Sequence, residues 1–197
     1  MCGINGIYNV NKTTNIESVL TYMNNLIKHR GPDDDGFFIE NNKPFELGMS
    51  MRRLAIIDLK SGQQPIFNES KDIVIVFNGE IYNYKNIKSN LEFEGVVFQT
   101  NSDTEVIIKL YEKHGTKFFG MLDGMFAFSL YDKKNNKLFV ARDFFGEKPL
   151  YYYKTKTCFF WASELKSLMS IKDIPKIISK KGLALYFQLT YIPSPYS

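Results

Sequence analysis

The chain has 197 residues, 44% of them hydrophobic and 15% aromatic, a composition that supports a folded core and excludes a disordered protein. Lys and Arg number 25 against 21 Asp and Glu, a net charge of +4, and these charges are too dispersed to indicate nucleic-acid binding. The sequence shows neither an apolar run near the ~18 residues of a membrane span nor a secretory signal, which predicts a cytoplasmic protein without membrane contact.

The chain begins Met1-Cys2-Gly3 and continues into a predicted strand over residues 3–9. Removal of Met1 would leave one residue that carries both a thiol and a free α-amine. These two kinds of group have similar reference pKa values, so a proton passes between them near neutral pH at little cost. Cys2 is therefore a candidate nucleophile with its own base, although a single cysteine here is more often only the end of a strand.

The first third of the chain is predicted to be rich in strands. Apolar residues at helical spacing follow Thr14 and Glu17, which form a capping box and predict a first helix up to about residue 27. A Gly- and Pro-containing loop follows at residues 29–36. Strands are then predicted at residues 37–40, 45–51 and 54–57.

The middle of the chain alternates a strand with two helices. An apolar, β-branched run at residues 72–77 predicts a strand, and the Asn78-Gly79-Glu80 that follows is typical of a tight turn. A helix is predicted at residues 84–93. A second capping box, Ser102 to Glu105, predicts another helix that ends at Gly115.

The last third of the chain is predicted to form β-hairpins, followed by a tail without strands. Strands separated by short polar turns are predicted at residues 125–131, 137–142, 150–154 and 157–162. Helices covering two layers of antiparallel sheet fit this order best, which is an α+β, αββα arrangement. After a short helix at residues 163–169, an irregular stretch and an amphipathic helix at 180–189 indicate a linker and the start of a further domain.

Three other positions carry groups that suit the attack of a thiol on a carboxamide. Asn78-Gly79 offers a side-chain amide and a backbone N–H for a developing oxyanion. Arg53 suits a carboxylate, and Asp103 at a helix start suits an ammonium group. Each also has a structural explanation, namely a turn, a surface ion pair and a favourable helix dipole.

In combination, these segments resemble the glutaminase domain of class II glutamine amidotransferases, and within that class the glutamine-hydrolysing asparagine synthetases. The resemblance runs from Met1 to about Leu168. It is carried by Met1-Cys2-Gly3, His29-Arg30-Gly31-Pro32-Asp33, Arg52-Arg53-Leu54-Ala55-Ile56-Ile57-Asp58, Asn78-Gly79-Glu80-Ile81-Tyr82-Asn83, Ser102-Asp103-Thr104-Glu105, and Arg142-Asp143 through Gly146 to Lys148-Pro149-Leu150.

The resemblance implies an N-terminal-nucleophile hydrolase fold and assigns roles to residues. Cys2 would attack glutamine and form a γ-glutamyl thioester, with Asn78 and Gly79 as the oxyanion hole. The implied glutamine-binding residues are Arg53 for the α-carboxylate, Asp103 with Glu80 for the α-amino group, and Leu54, Ala55, Ile56 and Ile57 beside them. Arg30 is expected to order the site or to form a structural salt bridge, and Arg142 and Asp143 to be scaffold.

The resemblance further implies a division into a glutaminase domain at residues 1–170 and a linker with the start of a synthetase domain at 171–197. The glutaminase step needs no cofactor. The synthetase domain, which would convert aspartate to asparagine, implies ATP and Mg²⁺, but this chain lacks its Ser-Gly-Gly-x-Asp-Ser nucleotide loop. The expected partners are glutamine and that C-terminal domain, with a homodimer left open.

Three alternatives remain at this point. The chain could be a non-catalytic glutamine-binding regulatory or scaffold module, an amidotransferase for a different acceptor acid, or an amidase for another amide. Two cysteines and two histidines without metal-ligand spacing predict neither a disulfide framework nor a metal site.

Overall fold

The structure, a computed structural model, describes residues 1–11, 15–41, 43–55 and 62–196. Within these residues the strands are β1 (Gly3–Asn9), β2 (Asp34–Glu40), β3 (Glu46–Arg53), β4 (Ile66–Phe67), β5 (Ile73–Ile81), β6 (Gly124–Asp132), β7 (Lys137–Arg142), β8 (Tyr151–Lys154) and β9 (Cys158–Ala162). The α-helices are α1 (Ile16–Leu26), α2 (Tyr84–Phe93), α3 (Asp103–His114), α4 (Leu165–Met169) and α5 (Lys180–Leu189).

The strands form two sheets in which every described pairing is antiparallel. The first sheet has the order β2-β3-β1-β9-β8, and the second has the order β4-β5-β6-β7. Helices α1 and α4 contact strands of the first sheet, and α3, with α2 against it, contacts β5 of the second. The αββα arrangement predicted from the sequence is confirmed.

Three apolar clusters lie between these four layers. One fills the space between the two sheets, one lies between the first sheet and α1 with α4, and one lies between the second sheet and α3. Strand β5 contributes to two of them: Ile75 and Phe77 face α3, whereas Val74 and Val76 face the first sheet. Because both faces of this strand are buried, its sequence is apolar without alternation.

The structure corrects the prediction of a tight turn at Asn78-Gly79-Glu80. These residues continue β5, and Asn78 pairs with Ala127 of β6 while Gly79 pairs with Phe126. A Cβ on Gly79 would lie 2.2 Å from the carbonyl oxygen of Met125. Glycine is therefore required here for the close approach of two strands and not for a chain reversal.

The predicted strand at residues 54–57 is also corrected where the structure describes it. Strand β3 ends at Arg53, and Leu54 and Ala55 belong to no strand. The backbone N–H of Leu54 donates to the thiol of Cys2, and that of Ala55 donates to the carboxylate of Asp33. Side chains thus replace a neighbouring strand as hydrogen-bond partners, while Ile56 and Ile57 lie outside the described residues.

The two predicted capping boxes differ in outcome. The cap of α1 is Asn15, whose side chain accepts from the N–H of Ser18, and Thr14 lies outside the described residues. Ser102 caps α3 as predicted, by accepting from Thr104 N–H. Glu105 departs from the capping-box pattern, because its carboxylate accepts from the N–H groups of Gln99 and Thr100.

None of the helices in the described part of the chain is long and apolar enough to cross a membrane.

Candidate active site

A cavity of about 110 Å³ lies at one end of the space between the two sheets. It is lined by seven of the predicted site residues: Cys2, Arg53, Leu54, Asn78, Gly79, Glu80 and Asp103. Ala55 is not among its lining residues, and the predicted contacts of Ile56 and Ile57 fall outside the described residues. Segments distant in the sequence therefore meet around one small pocket.

Strand alternation explains why three of these side chains enter the cavity. Cys2, Arg53 and Asn78 each lie two residues from a member of the cluster between the sheets, and side chains two apart in a strand share a face. Those cluster members are Ile4, Met51 and Val76. The three polar side chains therefore continue the inner faces of β1, β3 and β5 to the end of the apolar core.

The thiol of Cys2 is held by the chain that follows β3. Its Sγ accepts from Leu54 N–H at 3.3 Å and lies 3.5 Å from the carbonyl oxygen of Leu54. The Arg30 Nε donates to the backbone carbonyl of Cys2 at 2.8 Å. Both the side chain and the backbone of the candidate nucleophile are thus fixed by specific contacts.

The loop at residues 30–33 packs closely against the end of β3, next to Cys2. A Cβ on Gly31 would lie 2.4 Å from the backbone of Arg52 and Arg53, so the loop approaches this strand as only glycine allows. On the far side of Pro32, the Asp33 carboxylate accepts from Ala55 N–H at 2.9 Å. The Arg-Gly-Pro-Asp segment therefore orders the site, which is one of the two roles expected for Arg30.

A charged network continues outward from Arg30. The Glu164 carboxylate lies 3.3 Å from Arg30 Nη1, 2.8 Å from His29 Nε2 and 3.2 Å from Lys166 Nζ. Burial raises the pKa of Glu164, but the hydrogen bonds from His29, Lys166 and Arg30 outweigh burial and lower this pKa below its usual value. An ionised Glu164 therefore links the start of α4 to the backbone of Cys2 through Arg30.

Two hydrogen-bond donors belong to β5 residues that line the cavity, Asn78 and Gly79. Asn78 is 1% exposed, and its Nδ2 has no hydrogen-bond partner among the described residues. The N–H groups of Phe77 and Ile81 donate away from β6, to the side chains of Gln64 and Asp103. Because backbone N–H groups alternate in direction along an antiparallel strand, the N–H of Gly79 faces the same open edge.

That edge is open because β4 is short. It pairs only at Ile66 with Ile75 and at Phe67 with Val74 among the described residues, so the second half of β5 has no neighbouring strand on this side. Buried donors without partners are rare in folded proteins and often mark a place that a ligand completes. The Asn78 amide and the Gly79 N–H are thus two adjacent donors on residues that line the cavity with Cys2.

Two side chains of opposite charge line the same cavity. Arg53 is 6% exposed and Asp103 is 4% exposed. Burial raises the pKa of Asp103 to about 6, although the N–H groups of Ile81 and Thr104 oppose the shift. Such a carboxyl gains most from an ammonium ligand, because pairing restores its charge. The cavity therefore suits a small molecule with one anionic and one cationic group.

Several lining residues were not predicted as site residues. They are Met1, Gly62, Gln64, Phe77, Ser102, Thr104, Met125 and Lys148. Lys148 lies in a segment that carried the family resemblance, but nothing in the sequence placed its side chain in the site. Gln64 gives no sequence signal at all. In the part of the chain that the structure describes, no cluster of three or more His, Cys, Asp or Glu residues could hold a metal ion.

Asp143 organises the turn that places Lys148. Its carboxylate accepts from the N–H groups of Glu147 at 2.8 Å, Lys148 at 3.0 Å and Phe126 at 3.2 Å. Burial alone would raise the pKa of Asp143, but these bonds outweigh burial and lower it. The carboxylate thus fastens the turn after β7 to strand β6.

Comparison with known proteins identifies the family of the chain. Residues 1–197 match the family described as the glutamine amidotransferase domain. A relative from Methanocaldococcus jannaschii is 45% identical and covers 100% of this chain. Two relatives from Bacillus subtilis named glutamine-hydrolysing asparagine synthetases 1 and 2 are 40% and 44% identical and cover 99% and 89% of it.

The chain spans less than half the length of these relatives, namely 41%, 30% and 23% of each. Among solved structures, it resembles the glutamine phosphoribosylpyrophosphate amidotransferase from B. subtilis with a TM-score of 0.71. That match has 22% sequence identity and covers 85% of this chain and 43% of the other. At this identity the likeness concerns the fold, which is that of the N-terminal-nucleophile hydrolases.

Proposed function

The chain belongs to the glutamine amidotransferase domain family, and on this basis we propose that it hydrolyses glutamine to glutamate and ammonia through a γ-glutamyl thioester on Cys2. One observation carries the proposal. The Cys2 thiol shares a small cavity with the unpartnered amide donor of Asn78 and with the opposite charges of Arg53 and Asp103. Each group that a thiol attack on glutamine requires is therefore within one pocket.

The first step forms the thioester. Once Met1 is removed, the α-amine of Cys2 takes the thiol proton, and Sγ attacks the side-chain carbonyl carbon of glutamine. The carbonyl oxygen becomes an oxyanion, which accepts hydrogen bonds from Asn78 Nδ2 and Gly79 N–H. Donors that the fold leaves unused thereby gain a partner where negative charge develops.

The second step releases the products. As the C–N bond breaks, the Cys2 ammonium returns a proton to the leaving nitrogen, which departs as ammonia. Water then adds to the thioester carbon with the neutral amine as base, and the C–S bond breaks to give glutamate and the free thiol. Protons and charges balance over the cycle, and the glutaminase step uses no cofactor.

Selection of glutamine follows from the two charges. Arg53 binds the α-carboxylate, while Asp103, with Glu80 nearby, binds the α-ammonium group. An amide that lacks the α-carboxylate or the α-ammonium group forgoes one of these two charged contacts. The site therefore favours a zwitterionic amino acid over a simple aliphatic amide.

We further propose that the ammonia serves a longer protein. The names of the B. subtilis relatives support a C-terminal domain that uses ATP and Mg²⁺ to convert aspartate to asparagine. Residues 1–170 are then the glutaminase domain and 171–197 the connection to the next. Ile171 and Ile174 still pack in the core of the first domain, whereas the described hydrophobic side chains beyond Ile174 are not buried, which supports a connection that leaves the core at Ile174. A cytoplasmic location and a homodimer stay predictions.

The proposal is tested by measuring glutamate and ammonia from glutamine with wild type, Cys2→Ala and Cys158→Ala. Cys158 is the matched control, because its half-buried thiol lies against Asn9 and away from the cavity. Wild type and Cys158→Ala should release both products in equal amounts, and Cys2→Ala should release neither. Glutamine binding without turnover by the wild type, after intact mass has shown that Met1 is absent, would point instead to a non-catalytic module.

A further inference from the structure

Lys148 lines the cavity but has no role in the mechanism above. The residue is 5% exposed, and its Nζ lies 3.0 Å from Met125 Sδ and 3.4 Å from Met1 Sδ. It forms no ion pair with a carboxylate in the part of the chain that the structure describes. Thioether sulfur is only a weak acceptor, so this ammonium has no anionic hydrogen-bond partner among the described residues.

Burial of this ammonium group is energetically unfavourable, which indicates that it is present for a functional reason. A buried ammonium without an anionic partner loses its hydration and gains little in return, and an apolar side chain of similar length would pack better. Yet the fold fixes this residue, because the Asp143 carboxylate accepts from the Lys148 backbone N–H at 3.0 Å. The turn thus holds a positive charge at a defined place inside the cavity.

The two sulfur contacts show where this charge lies relative to the reacting groups. Met1 is bonded to Cys2, and Met125 lies in β6 opposite Glu80, next to the strand that carries the oxyanion donors. Removal of Met1 takes away one of the two partners of Lys148. The new α-amine of Cys2 is then the chain end, one residue along from the side chain that Lys148 Nζ contacts.

We propose that Lys148 is a positioning residue whose fixed positive charge keeps the α-amine of Cys2 unprotonated at neutral pH. A neighbouring cation disfavours protonation of an amine, and an amine can act as a base only in its neutral form. The catalytic consequence of this charge rests on the proposed function. Its electrostatic part concerns the processed N-terminus alone and can be measured without turnover.

Other charged groups surround the N-terminus and must be kept constant. Arg30 donates to the Cys2 carbonyl, and Arg53, Glu80 and Asp103 line the cavity, while Asp143 anchors the Lys148 backbone. Asp103 also titrates near neutral pH. At saturating glutamine the Asp103 carboxylate is paired with the substrate ammonium. The pH dependence of kcat reports the enzyme–substrate complex, so the titration of Asp103 in the free enzyme does not contribute to it.

The test compares wild type with Lys148→Met and Lys148→Arg after intact mass has confirmed loss of Met1. The α-amine of Cys2, labelled with ¹⁵N, is titrated by NMR, and kcat is measured from pH 6 to 9. In Lys148→Met the midpoint of the amine titration should rise by about one pH unit, and kcat at pH 7 should fall about tenfold and recover as the pH rises. Lys148→Arg should behave like wild type.

Thermal unfolding separates this role from a structural one. Replacement of an unpaired buried ammonium by methionine should leave Tm unchanged or raise it, so the loss of kcat occurs in a stable protein. An unchanged amine midpoint in folded Lys148→Met, or a loss of kcat that is equal at every pH, would overturn the inference. If the wild type lacks glutaminase activity, the proposed function fails, whereas the amine titration still decides the electrostatic effect of Lys148.

Discussion

At the scale of single residues, the site is recognisable by groups that the fold leaves unsatisfied. The Asn78 Nδ2 is buried and has no hydrogen-bond partner among the described residues, and the Asp103 carboxyl is buried at a cost that raises its pKa to about 6. Folded proteins satisfy nearly all of their buried polar groups, and groups with shifted pKa values concentrate at functional sites. The two observations are independent and point to the same cavity.

Asn78→Ala removes one oxyanion donor and should lower kcat by about 100- to 1000-fold. The KM for glutamine should change much less, because the α-carboxylate and α-ammonium contacts remain. Steady-state glutaminase kinetics measure both values. Asn90→Ala, an exposed position on α2, is the control and should match wild type; an equal loss in both variants would contradict the assignment.

Asp103→Asn should weaken glutamine binding while it stabilises the fold. Without the carboxylate, KM should rise by about 100-fold. In wild type, KM should likewise rise as the pH falls below about 6, where Asp103 becomes protonated in the free protein. Kinetics from pH 5 to 8 test this, with the exposed Asp123→Asn as control. A KM that is constant across this range would argue against Asp103 as the ammonium site.

The effect of Asp103 on stability has a definite sign. Its folded-state pKa is raised from 3.8 to about 6, so its contribution to stability is present below pH 3.8 and is lost as the pH rises through 6. The raised pKa corresponds to about 3 kcal/mol. The stability difference is the free energy of unfolding of Asp103→Asn minus that of wild type. This difference should therefore be about 3 kcal/mol larger at pH 8 than at pH 4. Urea titration at the two pH values measures it.

At the scale of elements, β5 serves both as core and as active-site wall. Its first half is buried between β4 and β6. Among the described residues its second half pairs with β6 alone, because β4 begins only at Ile66. An edge strand normally invites unwanted pairing, but here side chains of Gln64 and Asp103 occupy the N–H groups on either side of Gly79. The Gly79 N–H therefore stays available as a hydrogen-bond donor to a small ligand.

Gly79→Ala should damage both the sheet and the site. The added Cβ would meet the Met125 carbonyl oxygen at 2.2 Å, so β5 must move away from β6 at a cost of about 1–3 kcal/mol. We expect a lower Tm and loss of most glutaminase activity. Gly120→Ala, where nothing lies within 4 Å of the added Cβ, should retain both. Full activity in a stable Gly79→Ala protein would exclude a role for this backbone approach.

Elements with strong local signals were predictable from the sequence. Periodicity and caps located α2, α3 and α5, and the hairpin pattern located β6 to β9, because these depend on neighbours along the chain. The path of Asn78-Gly79 was not predictable, since the same dipeptide suits a turn and only pairing with β6 decides between them. Lys148 and Gln64 enter the site through contacts with residues distant in the sequence, which leave no mark in the local sequence.

At the scale of the whole molecule, the sandwich brings together distant segments that each carry one part of the site. The inner faces of β1, β3 and β5 place Cys2, Arg53 and Asn78 at one end of the central core, and the start of α3 adds Asp103. Apolar burial between four layers holds these positions, so the polar groups are arranged before a ligand arrives. Preorganisation of this kind is the main physical source of catalysis.

The most direct test of the central claim is an intact-mass spectrum of the chain, quenched with acid during glutamine turnover. We expect a polypeptide that lacks Met1 and carries one γ-glutamyl group, located on Cys2 by fragmentation and still formed by Cys158→Ala. Turnover without such an adduct, an adduct on Cys158, or turnover by a chain that retains Met1 would contradict it.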